Sequence, residues 1–65
     1  MQHRRRVFVE TPKGRINAGF SVPATAAAAD VSMRLRERGW APYRVRFDHE
    51  QDCWIAAVID WRHAA

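Results

Sequence analysis

Lysine and cysteine each occur once in this 65-residue chain, at Lys13 and Cys53. A lone cysteine leaves no internal disulfide and fits a reducing compartment. No apolar run approaches the roughly 20 residues needed to cross a bilayer. The basic N-terminus is not followed by the ~7–15-residue apolar stretch of a signal peptide. The chain therefore reads as soluble and cytoplasmic, with no membrane partner. Glycine-rich phosphate loops are missing, as are CxxC and HExxH spacings, so no metal or other cofactor is expected. The histidines are scattered: His3 and His63 lie near the ends, and His49 shares a loop with Asp48, Glu50 and Asp52. Cys53, the nearest nucleophile to His49, is expected to face the core. The expectation is a protein that is not an enzyme.

Arginine is what the chain has in abundance. Lysine and arginine total 11 against 7 acidic residues, a net charge of +4, and only Lys13 is not arginine. Arginine makes planar, bidentate phosphate contacts and stacks on rings, which points toward nucleic acid. A GC-rich gene would enrich arginine and alanine as well. At this length residues 1–65 form one small domain, ordered over about 4–61, with a core only marginally sufficient alone. A second subunit is a natural supplement, so a homodimer is in view.

The fold class expected is α+β: a ββαββ order with a four-stranded, mainly antiparallel sheet and one helix packed on one face. The first strand runs from Arg5 to Glu10 with Val7 and Val9 inward. Thr11-Pro12-Lys13-Gly14 suits a tight turn. The second strand, Arg15 to Val22, then pairs Glu10 with Arg15, Val9 with Ile16 and Val7 with Ala18, placing Ile16, Ala18, Phe20 and Val22 on the core face. A helix follows from Pro23 or Ala24, with Thr25 able to cap a later start and Ala24, Ala27, Ala28, Val31 and Leu35 as its buried stripe. Gly39 and Pro42 end it. The spatial order of the strands stays open.

The second hairpin, Tyr43 to Trp61, carries the sharpest pattern. Rings and apolar residues alternate with arginines in Tyr43-Arg44-Val45-Arg46-Phe47, so they sort to opposite faces. With a loop from Asp48 to Asp52, Phe47 is expected to pair with Cys53, Val45 with Ile55 and Tyr43 with Ala57 as a core face continuing to Ile59 and Trp61. That register sends Trp54, Ala56 and Val58 to the other face, with Trp54 beside Arg46. The helix-free face would then carry Phe8 and Trp54 among Arg4, Arg6, Arg15, Arg44 and Arg46. Rings that stack on bases among guanidiniums that neutralise phosphates are the means by which sheets bind single strands. A cation–π pair between Arg46 and Trp54 is the purely structural alternative. A subunit interface through Phe8, Trp54, Ala56 and Val58 is the third.

Two further surfaces stand out. Ala26, Ala29 and Met33 form an apolar strip on the outer side of the helix. Arg34, Arg36 and Arg38 cluster toward its C-terminus, where cations complement the helix dipole and could also meet phosphates or an acidic protein. Arg4-Arg5-Arg6 forms a basic arm.

The stretch from Ile16 to Trp61, with its alanine-rich helix, Tyr43-Arg44-Val45-Arg46-Phe47 and Cys53-Trp54-Ile55-Ala56-Ala57, resembles the strand–helix–hairpin unit of small phage-encoded anti-CRISPR proteins acting on type I complexes. The resemblance implies inhibition by occlusion of a nucleic-acid path, through Arg34, Arg36, Arg38 and Arg46. The expected function is a non-enzymatic basic module that binds nucleic acid, single strands favoured, through the arginine and aromatic sheet face. The alternative is a protein-interaction module, either a homodimer or an inhibitor of a nucleoprotein complex.

Overall fold

The computed structural model describes residues 3–59. The elements are β1 (Arg4–Thr11), β2 (Gly14–Pro23), α1 (Ala28–Glu37), β3 (Pro42–Asp48) and β4 (Cys53–Val58), giving the expected ββαββ order and α+β class. The sheet runs β2-β1-β4-β3. Both hairpins are antiparallel, and they join at the centre through a parallel β1–β4 pair. Asp60 and Trp61, assigned above to the last strand, lie outside the described residues.

The β1–β2 turn forms where proline, threonine and glycine predict it. The Thr11 hydroxyl donates to the Gly14 carbonyl at 2.9 Å and accepts the Lys13 N–H at 3.1 Å. Glu10 pairs with Arg15 and Val9 with Ile16 as expected, but Val7 does not pair with Ala18. A bulge intervenes: Phe8 faces Asn17 while Arg6 faces Ser21. Gly19, at φ +91°, makes it possible, and its N–H donates to the Asn17 side chain at 2.8 Å. Ala18 and Phe20 still pack against the core, whereas Ile16 stays 48% exposed.

α1 begins later than expected. β2 continues through Pro23, which an edge strand tolerates because one side of its backbone is unpaired. The Ala24 N–H donates to the His3 carbonyl and the Ala26 N–H to the Pro23 carbonyl, both at 3.0 Å, turning the chain toward the helix. Asp30 accepts the Ala27 N–H at 2.9 Å and so closes the first turn. Of the expected stripe, Val31 and Leu35 are fully buried, worth about 1.5–3 kcal/mol each. Ala27 and Ala28 are exposed, and Ala26 is half-buried against the core instead of lying on the outer strip. Gly39, at φ +92°, ends the helix as predicted, with its N–H donating to the Arg36 carbonyl at 3.0 Å.

The second hairpin differs from expectation by one residue of register. Phe47 pairs with Trp54, Val45 with Ala56, Arg46 with Ile55 and Asp48 with Cys53. A one-residue slip exchanges the two faces of a strand. Trp54, Ala56 and Val58 therefore lie under the helix with Val7, Val9, Val22, Val31 and Leu35. Cys53, Ile55 and Ala57 turn to the face that the helix does not cover. The cause is the loop. Asp48 accepts the N–H groups of Glu50 and Gln51 at 3.0 and 3.3 Å, so the turn starts there, and Asp52, at φ +55°, completes it. The loop is thus His49–Asp52, and Asp48 belongs to the strand. A second irregularity between Pro42 and Arg44 expels Tyr43, which is 68% exposed and not part of the core.

Candidate polyanion-binding surface

The helix-free face can be written as rows across the four strands. One row reads Asn17, Phe8, Ile55 and Arg46; the next reads Arg15, Glu10, Ala57 and Arg44. Arg6 lies opposite Ser21 and Cys53 opposite Asp48, while Arg4 lies opposite Pro23 at the end of β1. Arg4, Arg6, Arg15, Arg44 and Arg46 thus share this face, as the sequence suggests. The acids paired into these rows are Glu10 and Asp48.

Two of those arginines are tied down. Arg4 donates through Nε and Nη2 to the Ser21 hydroxyl and carbonyl at 2.8 and 2.7 Å. Arg15 donates to Glu10 at 2.9 Å, and this contact, ahead of their Coulomb attraction, lowers the Glu10 pKa and raises that of Arg15. Arg6, Arg44 and Arg46 are exposed and form no salt bridge among the described residues. No salt bridge among the described residues commits their charge, although Arg46 also attracts the Glu10 carboxylate.

The ring complement differs from expectation. Phe8 is half-buried on this face, but Trp54 is absent from it. Trp54 is 8% exposed beneath the helix, where its ring meets Phe47 edge-on at 5.2 Å. Its indole N–H is buried without a hydrogen-bond acceptor among the described residues. No Arg46–Trp54 cation–π pair forms; Arg5 lies over Phe47 at 4.7 Å and Arg38 over Phe20 at 4.6 Å instead. The subunit interface imagined through Phe8, Trp54, Ala56 and Val58 loses all but Phe8 to the core.

Ile55, at 1% exposure, and Cys53, at 3%, leave little apolar surface on the helix-free side. Burial, more than the nearby Asp48 carboxylate, pushes the Cys53 thiol up. At one end, Arg4, Arg6, Phe8, Gln51, Asp52 and Cys53 border a hollow of about 290 Å³. Asp52 on its rim accepts from His3 at 2.6 Å and Arg5 at 2.9 Å, and these hydrogen bonds, His3 first, hold its carboxyl below the usual range. His49 is exposed, and its ring meets the edge of Phe47 at 4.7 Å. Among the described residues, no group of three or more His, Cys, Asp or Glu side chains could hold a metal ion, and no helix is long and apolar enough to cross a membrane.

The helix arginines do not form one cluster. Arg34 borders a hollow of about 360 Å³ toward the end of β2, with Asp30 and Glu37 beside it. Arg38, one turn on, reaches Phe20 of the same strand. Arg36 faces β3 instead. Residues i and i+4 share a helix side while i+2 departs from it. The four arginines singled out by the anti-CRISPR resemblance therefore occupy three surfaces, with Arg46 on the far side of the sheet.

Comparison with known proteins yields no matching family model, no matching curated protein and no matching solved structure.

Proposed function

We propose that this protein is a non-enzymatic module that binds the phosphate backbone of nucleic acid, preferentially single-stranded, across the helix-free face of its sheet. The observation that carries the reading is the set of exposed arginines without salt bridges among the described residues, Arg6, Arg44 and Arg46, on one face of the sheet. Arg4 and Arg15 flank them. With Trp54 in the core, charge contributes more to this surface than stacking does. Phe8 remains as a half-exposed ring beside it.

Binding of a labelled oligonucleotide, followed by anisotropy across a salt series, tests the reading. Counterion release gives a slope of log K against log[salt] of about −0.7 for each single-strand phosphate contact. Three contacts predict a slope of about −2 and five about −3.5, or roughly 20- to 100-fold weaker binding between ~50 and ~200 mM salt. The Arg6→Ala/Arg46→Ala double variant should flatten that slope by about 1.4. Binding to polyglutamate but not to the oligonucleotide would contradict this reading and point to an acidic protein partner. Absence of oligonucleotide binding at low salt overturns it and turns attention to a protein target, as in occlusion of a nucleoprotein complex.

A further inference from the structure

The bulge that expels Tyr43 from the core builds a second feature beside the arginine face. Pro42 is buried and Arg44 returns to the ladder opposite Ala57, so Tyr43 between them stands 68% exposed at the sheet edge. Between this segment and α1 runs an open groove of about 290 Å³, whose lining includes Ala28, Ala29, Ser32, Arg36, Tyr43 and Arg44. Among the described residues, no carboxylate lines it. Ala28 and Ala29 keep the helix flank low, so a flat ring can approach Tyr43 from that side. The Arg36 Nε points toward the Ser32 hydroxyl at 3.4 Å, and its guanidinium has no acidic partner among the described residues. Arg44 belongs at once to the rim of this groove and to the helix-free face. The cationic surface is therefore continuous around the β3 edge.

We propose that one nucleotide of a bound single strand turns around this edge, stacks its base on Tyr43 and places its phosphate between Arg36 and Arg44. The groove's ring and flanking guanidiniums, with no acid among the described lining residues, match a nucleotide better than an apolar peptide, for which the alanine floor offers no deep pocket. This inference rests on the nucleic-acid reading above and supplies the stacking residue that Trp54 does not provide.

The experiment compares an oligothymidylate with an abasic oligonucleotide of equal length, using the wild-type protein, Tyr43→Ala, Tyr43→Phe and Arg36→Ala. Loss of one stacked base should weaken oligothymidylate binding by Tyr43→Ala about 5- to 150-fold. The abasic affinity and the salt slope should stay at wild-type values, and Tyr43→Phe should restore binding. Arg36→Ala should flatten the salt slope by about 0.7. If Tyr43→Ala binds oligothymidylate as tightly as wild type while the Arg6→Ala/Arg46→Ala variant binds weakly, the groove is overturned and the sheet-face reading survives. If the wild-type protein binds neither oligonucleotide, both readings fall. Tyr43 is exposed, so loss of folding in Tyr43→Ala would itself contradict its placement.

Discussion

Replacing Trp54 with alanine distinguishes the two possible registers of the second hairpin more sharply than any binding assay. In the observed register the indole is 8% exposed and packs with Val7, Val9 and Leu35 in one cluster, with Phe47 against its edge. Truncating a buried tryptophan to alanine costs about 3–5 kcal/mol. A domain of this size draws only roughly 3–5 kcal/mol of stability from a single core. The two magnitudes cancel, so Trp54→Ala should be largely unfolded in buffer. With a urea m-value near ~1 kcal/mol/M, its denaturation curve should lack a native baseline. Circular dichroism in a urea titration reads this directly. Trp54→Phe keeps an aromatic ring against Phe47 and removes a buried donor that has no acceptor among the described residues, so its midpoint should fall much less. A Trp54→Ala protein with a wild-type midpoint would refute the reasoning, because it would place the side chain on the solvent face and restore the slipped register.

Gly19→Ala should destabilise by about 1–3 kcal/mol in the same titration, since φ +91° strains any L side chain although no atom crowds the site. Asp52 and Glu10 both have folded-state pKa values below their ordinary ones. Their contribution is therefore present above the unfolded carboxyl pKa of about 4 and is lost as pH falls through the lower folded value. An acid titration should show that Asp52→Asn lowers stability at neutral pH and converges with wild type at low pH; a constant offset would contradict the His3 and Arg5 contacts. Cys53, buried and with its thiol pKa raised, should react with a thiol reagent far more slowly in the native protein than in denaturant. Equal rates would contradict its burial.

Much of the fold is legible in the residues. Thr11 to Gly14 specifies a turn, Gly39 specifies a helix stop, and both stand where the pattern puts them. The strand order has a signal too. Cys53 to Ile59 is an uninterrupted apolar run, and Val7-Phe8-Val9 is a shorter one. Strands buried on both faces lose their alternation, so such runs mark the centre of a sheet, whereas the alternating Tyr43 to Phe47 marks an edge. That same loss of alternation hides the register. A strand apolar on both sides packs acceptably in either orientation, and only the loop decides between them. The decisive residue is Asp48: an aspartate that can cap its own turn favours starting the loop after it. The bulges at Arg6–Phe8 and Pro42–Arg44 leave fainter traces, because either flank could absorb the extra residue. On the binding surface, the arginines of the edge strands were readable from alternation alone. Tyr43 and Trp54 were not, since their sides depend on a bulge and on loop parity.

The parallel pairing of β1 with β4 sets an order of assembly. Each hairpin closes through a short turn and can form from local chain. The centre of the sheet cannot, because Val7 must wait for Trp54, Phe8 for Ile55 and Val9 for Ala56. Contacts so distant in sequence slow folding, as a long loop must close before they stabilise anything. During synthesis the first hairpin and the helix would therefore exist without a core, Val7 and Val9 uncovered, until β4 leaves the ribosome. β4, made after the other three strands, is the one that turns two hairpins into a domain.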